Sequence, residues 1–92
     1  MTKRQLESRA QKLEKIFPGI KGIRVESGCI HLGDAAEGGV IDEVYPAADY
    51  YSEDYAEKTY VFGVHRKLGN ALQKMGMMTE WECAGILKAF PE

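Results

Sequence analysis

Ile23-Arg24-Val25-Glu26-Ser27-Gly28-Cys29-Ile30-His31-Leu32 is the stretch on which the fold turns. Ile23 and Val25 alternate with charged residues, Ile30 and Leu32 alternate with Cys29 and His31, and Ser27-Gly28 separates the two runs. Alternation of period two on both sides of a short glycine-bearing break predicts a β-hairpin with one face toward a core. Beyond Gly33-Asp34, the small residues Ala35-Ala36-Glu37-Gly38-Gly39 form a loop leading to a third expected strand, Val40 to Tyr45, closed by Pro46. So small an antiparallel sheet needs a cover on one face.

Helices supply that cover. Thr2 followed by Gln5 is a capping-box pattern, Leu6, Ala10, Leu13 and Phe17 recur at helical spacing, and Pro18-Gly19 stops the run. A first helix is expected over about residues 3 to 16. Its outer arc carries Lys3, Arg4, Arg9, Lys12 and Lys15, interrupted by Glu7 and Glu14, which makes a mildly basic face. Val61, Val64, Leu68, Ala71, Leu72 and Met75 predict a second helix, with Ser52 one possible N-cap and Gly76 the terminator. Gly63 and Gly69 lie inside that pattern, each costing about 1 kcal/mol relative to alanine, so each marks either close packing or an early break. Thr79-Glu80-Trp81-Glu82 reads as another capping box, opening a short third helix through Ile86 and Leu87 to Ala89, before Pro91. The expectation is one α+β domain of 92 residues, order αβββαα, with a three-stranded antiparallel sheet packed against two to three helices.

Composition agrees with a globular class, at 45% hydrophobic and 28% charged residues. A chain this short has little volume to spare for an internal active-site cavity. Met-Thr-Lys-Arg-Gln-Leu-Glu at the start lacks the apolar core of a signal peptide, so a soluble, unexported protein is expected. Cys29 and Cys83 are far apart and show no Cys-x-x-Cys spacing, and His31 and His65 form no ligand pattern with them. That predicts buried free thiols in a reducing cytoplasm, with neither a metal nor a cofactor.

Charge is sorted into blocks. From Asp34 to Glu57 there are eight acidic residues and no Lys or Arg, with Tyr45, Tyr50, Tyr51 and Tyr55 among them. Residues 1 to 27 carry seven basic groups against three acidic, and residues 58 to 74 carry four basic groups and no acid. The net charge of −2 hides this sorting. Opposite-signed faces suit a binder of macromolecules more than a small-molecule enzyme.

Motifs for catalysis are missing from the sequence. It contains no Gly-x-Gly-x-x-Gly, no phosphate loop, no Gly-x-Ser-x-Gly and no His-Glu-x-x-His. Cys29 and His31 would share a strand face, where a thiol and its base can be imagined, but no third residue is indicated to orient the base, and ordinary packing outweighs that reading. His65, beside Arg66 and Lys67, reads as a boundary residue rather than a proton carrier. The adjacent carboxylates Asp42-Glu43 and Glu53-Asp54 point in different directions and read as a solvated face. A helix-turn-helix over residues 58 to 89 fails because Glu80 and Glu82 would stand where DNA phosphate comes closest.

Two surfaces remain as candidates. Asp49-Tyr50-Tyr51-Ser52-Glu53-Asp54-Tyr55 contains no Leu, Ile or Val, so Asp49, Tyr50, Tyr51, Glu53, Asp54 and Tyr55 are weighed as a partner-binding segment against a merely solvated loop with partly buried tyrosines. The basic residues of the first helix, Arg4, Lys12 and Lys15 among them, and of Arg66-Lys67 are candidates for contact with a nucleic-acid phosphate backbone, against a plain solvated helix face.

Across its length, from Met-Thr-Lys-Arg-Gln-Leu-Glu-Ser through Tyr-Pro-Ala-Ala-Asp-Tyr-Tyr-Ser-Glu-Asp-Tyr to Gly-Ile-Leu-Lys-Ala-Phe-Pro-Glu, the chain resembles small phage-encoded anti-CRISPR proteins of the type I-F group. The resemblance is one of size, charge layout and sequence texture. It implies a protein without catalysis that binds Cas subunits of the Cascade-like (Csy) surveillance complex, and possible contact with its guide RNA, in the cytoplasm of an infected bacterial host. It transfers no individual binding residue. A small phage or plasmid regulator that binds nucleic acid through the basic first helix is the alternative.

Overall fold

In a computed structural model, which describes residues 1–42, 45–51 and 59–92, Thr2 and Gln5 close the first helix on each other. The Thr2 hydroxyl accepts from the Gln5 amide at 3.2 Å, and the Gln5 side-chain carbonyl accepts from the Thr2 amide at 2.8 Å. This capping box opens α1, Lys3–Ile16, as the sequence predicts. Leu6, Ala10 and Leu13 form its buried stripe, and the Phe17 amide donates to the Leu13 carbonyl at 2.8 Å to end it.

The predicted hairpin also forms. Strands β1 (Ile23–Glu26) and β2 (Cys29–Leu32) pair antiparallel with Ile23 opposite Leu32 and Glu26 opposite Cys29, which leaves Ser27-Gly28 as the turn. The sheet then grows by elements that the sequence places elsewhere. Residues 79 to 89, expected as a helix, are instead parts of two strands, β7 (Met77–Cys83) and β8 (Ile86–Pro91). The main sheet is four-stranded, in the order β1-β2-β8-β7 and antiparallel throughout. Alternation explains the correction: Met77 faces in while Met78, Glu80 and Glu82 face out, and buried Leu87 and Ala89 flank Lys88. A helix through the same residues would carry Gly85 in its interior and leave half of these apolar groups in water.

Two further corrections concern the middle of the chain. The expected strand from Val40 to Tyr45 is a small hairpin, β3 (Val40–Ile41) with β4 (Tyr45–Pro46), separate from the main sheet. Asp42 takes a left-handed φ of 54°, and Ile41 pairs with Tyr45, so the chain reverses where one strand was expected. Pro46 is tolerated in β4 because this ladder has only two strands. The second helix begins later than its periodicity suggests. Val61 and Val64 face each other across another hairpin, β5 (Tyr60–Val61) with β6 (Val64–His65), and α2 runs only over Arg66–Lys74. Gly63 is the early break, whereas Gly69 stays within the helix. Two helices form among the described residues rather than three, and Ser52 as an N-cap lies outside them.

The two helices cover the same sheet face. α1 packs over β1 and β2, α2 over β7, and Leu6, Leu13, Ile30, Leu32, Leu68, Leu72, Met77 and Leu87 are fully buried between the layers. Arg9 joins the helices, its Nε donating to the Met75 carbonyl at 2.9 Å. The other face is polar, as one side of an antiparallel sheet can be. There Lys88 Nζ meets Glu26 at 3.2 Å and Glu82 at 3.0 Å, and Arg24 reaches Glu26 at 3.3 Å.

Candidate functional site

The turn between β5 and β6 is one of two places among the described residues where a residue other than glycine takes a left-handed φ, the other being Asp42. Tyr60 pairs with His65 and Val61 with Val64, so Phe62-Gly63 is a two-residue hairpin loop. Its φ angles are 51° at Phe62 and 77° at Gly63, the left-handed pair that favours Asn-Gly in such loops. A bulky L-residue there pays about 1–2 kcal/mol. Phe62 is nonetheless 91% exposed, so no burial of its ring offsets the strain.

Neighbouring groups hold the turn in place. Trp81, inward-facing on β7, donates its indole N–H to the Phe62 carbonyl at 2.8 Å. The Asp49 amide donates to the Gly63 carbonyl at 2.7 Å, and Ala48 bridges to Val64. A side chain at Gly63 would come within 2.6 Å of the Asp49 carbonyl oxygen and 3.1 Å of the Trp81 ring, so only glycine fits.

Around this knob the aromatic rings meet edge to face. Tyr50 lies 5.3 Å from Trp81 at 88°, and Tyr51 lies 5.2 Å from Tyr50 at 77°. Asp49 orders the approach by accepting the Tyr51 amide on Oδ1 at 2.9 Å. Tyr51 is 73% exposed, and Tyr50 and Val61 are exposed as well. The structure therefore brings Asp49, Tyr50 and Tyr51 beside partly buried Trp81, which in turn holds the turn that displays the exposed Phe62 and follows the exposed Val61, an aromatic surface with a carboxylate at its edge. Glu53, Asp54 and Tyr55 lie outside the described residues. Sequence reading missed Phe62 and Trp81 as site residues. The signal for Phe62 was Val-Phe-Gly-Val, a two-residue turn between β-branched neighbours.

The basic candidates divide. Arg4, Lys12 and Lys15 are all exposed on α1, within an arc of about 80° at 100° per residue, on the side away from Leu6 and Leu13. Arg66 opens α2, at the end remote from the Arg9–Met75 contact between the helices, and does not join that stripe.

Cys29, His31 and His65 have other occupations, whereas Cys83, expected to be buried, is an exposed free thiol at the end of β7. Cys29 is buried, and burial pushes its thiol up, away from the thiolate. His31 Nδ1 accepts the Gly33 amide at 2.9 Å. His65 is buried rather than at a boundary. It caps α2 by accepting the Lys67 amide on Nδ1 at 3.1 Å, with the Tyr60 and Tyr45 rings 5.5 Å and 6.0 Å away. Burial, and then the charge of Lys67, hold its pKa below the ordinary value, with Asp42 opposing. Among the described residues no cluster of three His, Cys, Asp or Glu side chains could hold a metal ion, and no helix is long and apolar enough to cross a membrane.

A separate cleft of about 1020 Å³ opens between the end of α1 and α2, with Ile16, Phe17, Ile41, Ala71 and Met75 on its walls. No protein-family model, curated protein or solved structure matches this chain.

Proposed function

We propose that the protein is an inhibitor without catalysis. It binds Cas subunits of a type I-F crRNA-guided surveillance complex, in the cytoplasm of a phage-infected bacterium, and stops target DNA from entering or pairing. The observation that carries a binding role is Phe62, a 91% exposed aromatic side chain held in a strained turn. Strain kept where it serves no packing is a mark of a functional position, and buried aromatic anchors dominate the energetics of protein interfaces.

The resemblance in length, charge layout and texture supports the choice of partner. Electrostatics supports it too. A surveillance complex holds its guide in a channel built for nucleic-acid backbone, and that channel is cationic. Asp49 beside the aromatic patch, with Glu53 and Asp54 following in sequence, gives the protein an acidic approach to such a surface. Arg4, Lys12, Lys15 and Arg66 have a complementary target in guide-RNA phosphates.

The test is capture of purified type I-F surveillance complex by the tagged protein, followed by target-DNA binding. Stable capture with loss of DNA binding supports the inhibitor, and no capture by folded protein sinks it. One observation favours a second reading, a phage or plasmid regulator that binds nucleic acid: Arg4, Lys12 and Lys15 share one exposed face of α1. Salt-sensitive retention of free RNA, without capture of the complex, would select that reading.

A further inference from the structure

Asp49 is a carboxylate without a counter-ion. Among the described residues it joins no ion pair, and the hydrogen bond that its side chain accepts comes from the Tyr51 amide, on Oδ1 at 2.9 Å. The three stretches that supply the aromatic surface, residues 45–51, 59–65 and 77–83, contain no Lys or Arg. Oδ2 of Asp49 therefore has no cation on its own surface to meet.

Its neighbours are aromatic rings. The bond to the Tyr51 amide places the carboxylate at the foot of the Tyr51 side chain, which belongs to a residue 73% exposed. Tyr51 meets Tyr50 at 5.2 Å, and Tyr50 meets partly buried Trp81 at 5.3 Å, so ring contacts tie Tyr51 back to the sheet. The Asp49 amide donates to the Gly63 carbonyl at 2.7 Å, which fixes the backbone of Asp49 to the turn that displays Phe62. A carboxylate and an exposed tyrosine ring thus stand side by side. The face of such a ring is negative, so both attract a cation.

We infer that Asp49 and Tyr51 form a recognition site for an arginine side chain of the partner protein. The inference rests on the reading of this aromatic surface as the partner-binding one, and it names the group that the surface takes. A guanidinium is planar and weakly hydrated, so it can lie on the Tyr51 ring while an N–H edge donates to the Asp49 carboxylate. The lysine ammonium is compact, strongly hydrated and without a flat face, so it gains less from the ring.

Other occupants fit less well. A single-stranded nucleic acid could stack bases on the tyrosines, but its phosphates would meet Asp49 on stretches that offer no Lys or Arg. A second copy of this chain laid patch to patch would bring another Asp49 and no cation.

The test follows the amide spectrum of the full chain during titration with N-acetylarginine methylamide. The citrulline analogue has the shape without the charge, and the lysine analogue has the charge without the plane. The arginine compound should shift the Asp49 and Tyr51 amides, the lysine compound less, and the citrulline compound hardly at all. Asp49→Asn keeps an oxygen for the Tyr51 amide and loses the charge, so the spectrum should stay folded while the arginine shifts disappear. The same variant should capture the surveillance complex about tenfold less well. Tyr51→Leu should weaken capture more than Tyr51→Phe, which keeps the ring. No shift with the arginine compound, equal shifts with the lysine or citrulline compound, or unchanged capture by Asp49→Asn would each overturn the inference. An RNA oligomer that shifts the tyrosines and binds Asp49→Asn more tightly would overturn it in favour of base stacking. Self-association of the parent that Asp49→Asn abolishes would overturn it in favour of a second copy. Should the unsubstituted protein capture no complex, the inhibitor reading falls, and the arginine titration still decides the site by itself.

Discussion

The indole N–H of Trp81 donates to the backbone carbonyl of Phe62 across 2.8 Å, so a residue of the main sheet fixes the peptide that displays the most exposed aromatic ring among the described residues. Trp81 thereby ties the small β5–β6 hairpin to the four-stranded sheet. The knob is rigid because its carbonyl, its glycine and its neighbour Asp49 are all engaged.

Phe62→Asn separates folding from binding. Asparagine tolerates the left-handed conformation that costs phenylalanine about 1–2 kcal/mol, and each kcal/mol moves the melting temperature of a domain this size by about 4–8 °C. The variant should melt higher than the parent and yet lose about tenfold or more in capture of the surveillance complex. A lower melting temperature would remove the strain argument. Unchanged capture would remove Phe62 from the interface.

Gly28 and Gly63 share a φ of 77°, which makes them a controlled pair. A Cβ at Gly28 meets nothing within 4 Å, whereas one at Gly63 lands 2.6 Å from the Asp49 carbonyl oxygen. Gly28→Ala should cost only the conformational term, about 1–2 kcal/mol. Gly63→Ala should cost a further ~1–3 kcal/mol for displacing Asp49 and Trp81. Urea denaturation of the two variants measures the difference, and equal costs would mean that the hairpin is not clamped as described.

Local signals carried α1 and the first hairpin, because their determinants are adjacent in sequence: the Thr2–Gln5 box, the Leu6–Ala10–Leu13 stripe, and Ser27-Gly28 between alternating runs. The C-terminal hairpin was misread because Thr79 and Glu82 mimic a helix cap. What decides the matter is tertiary: β8 pairs with β2 through Ile30–Ala89, a partner far away in sequence. The same limit governs the site. Asp49-Tyr50-Tyr51 stood out by composition alone, but Phe62 and Trp81 join it only after two sheets have formed and met.

Replacing Arg4, Lys12 and Lys15 by glutamine tests the α1 stripe. If each holds a guide-RNA phosphate, the slope of log affinity against log salt should shrink by about 2, given roughly 0.7 per single-strand contact. Stability should move little, because all three side chains are exposed. A salt slope that does not change would take α1 out of the interface.

His65 makes stability depend on pH in a direction that can be worked out. Its folded pKa is depressed below 6.5, by burial first and by Lys67 second. As pH falls through 6.5 the unfolded chain takes up a proton that the folded chain resists, so protons favour unfolding. The contribution is therefore complete above 6.5 and is lost as pH drops toward the folded value. His65→Asn keeps a side-chain acceptor for the Lys67 amide but cannot titrate. Urea midpoints at about pH 8 and about pH 5.5 should differ less in this variant than in the parent. The comparison cancels His31 and the carboxylates, which both proteins share, and so isolates the buried cap. An equal pH dependence would place the titrating group elsewhere, and a loss of stability at both pH values would mean that the imidazole acts through packing against Tyr60 and Tyr45 rather than through its proton.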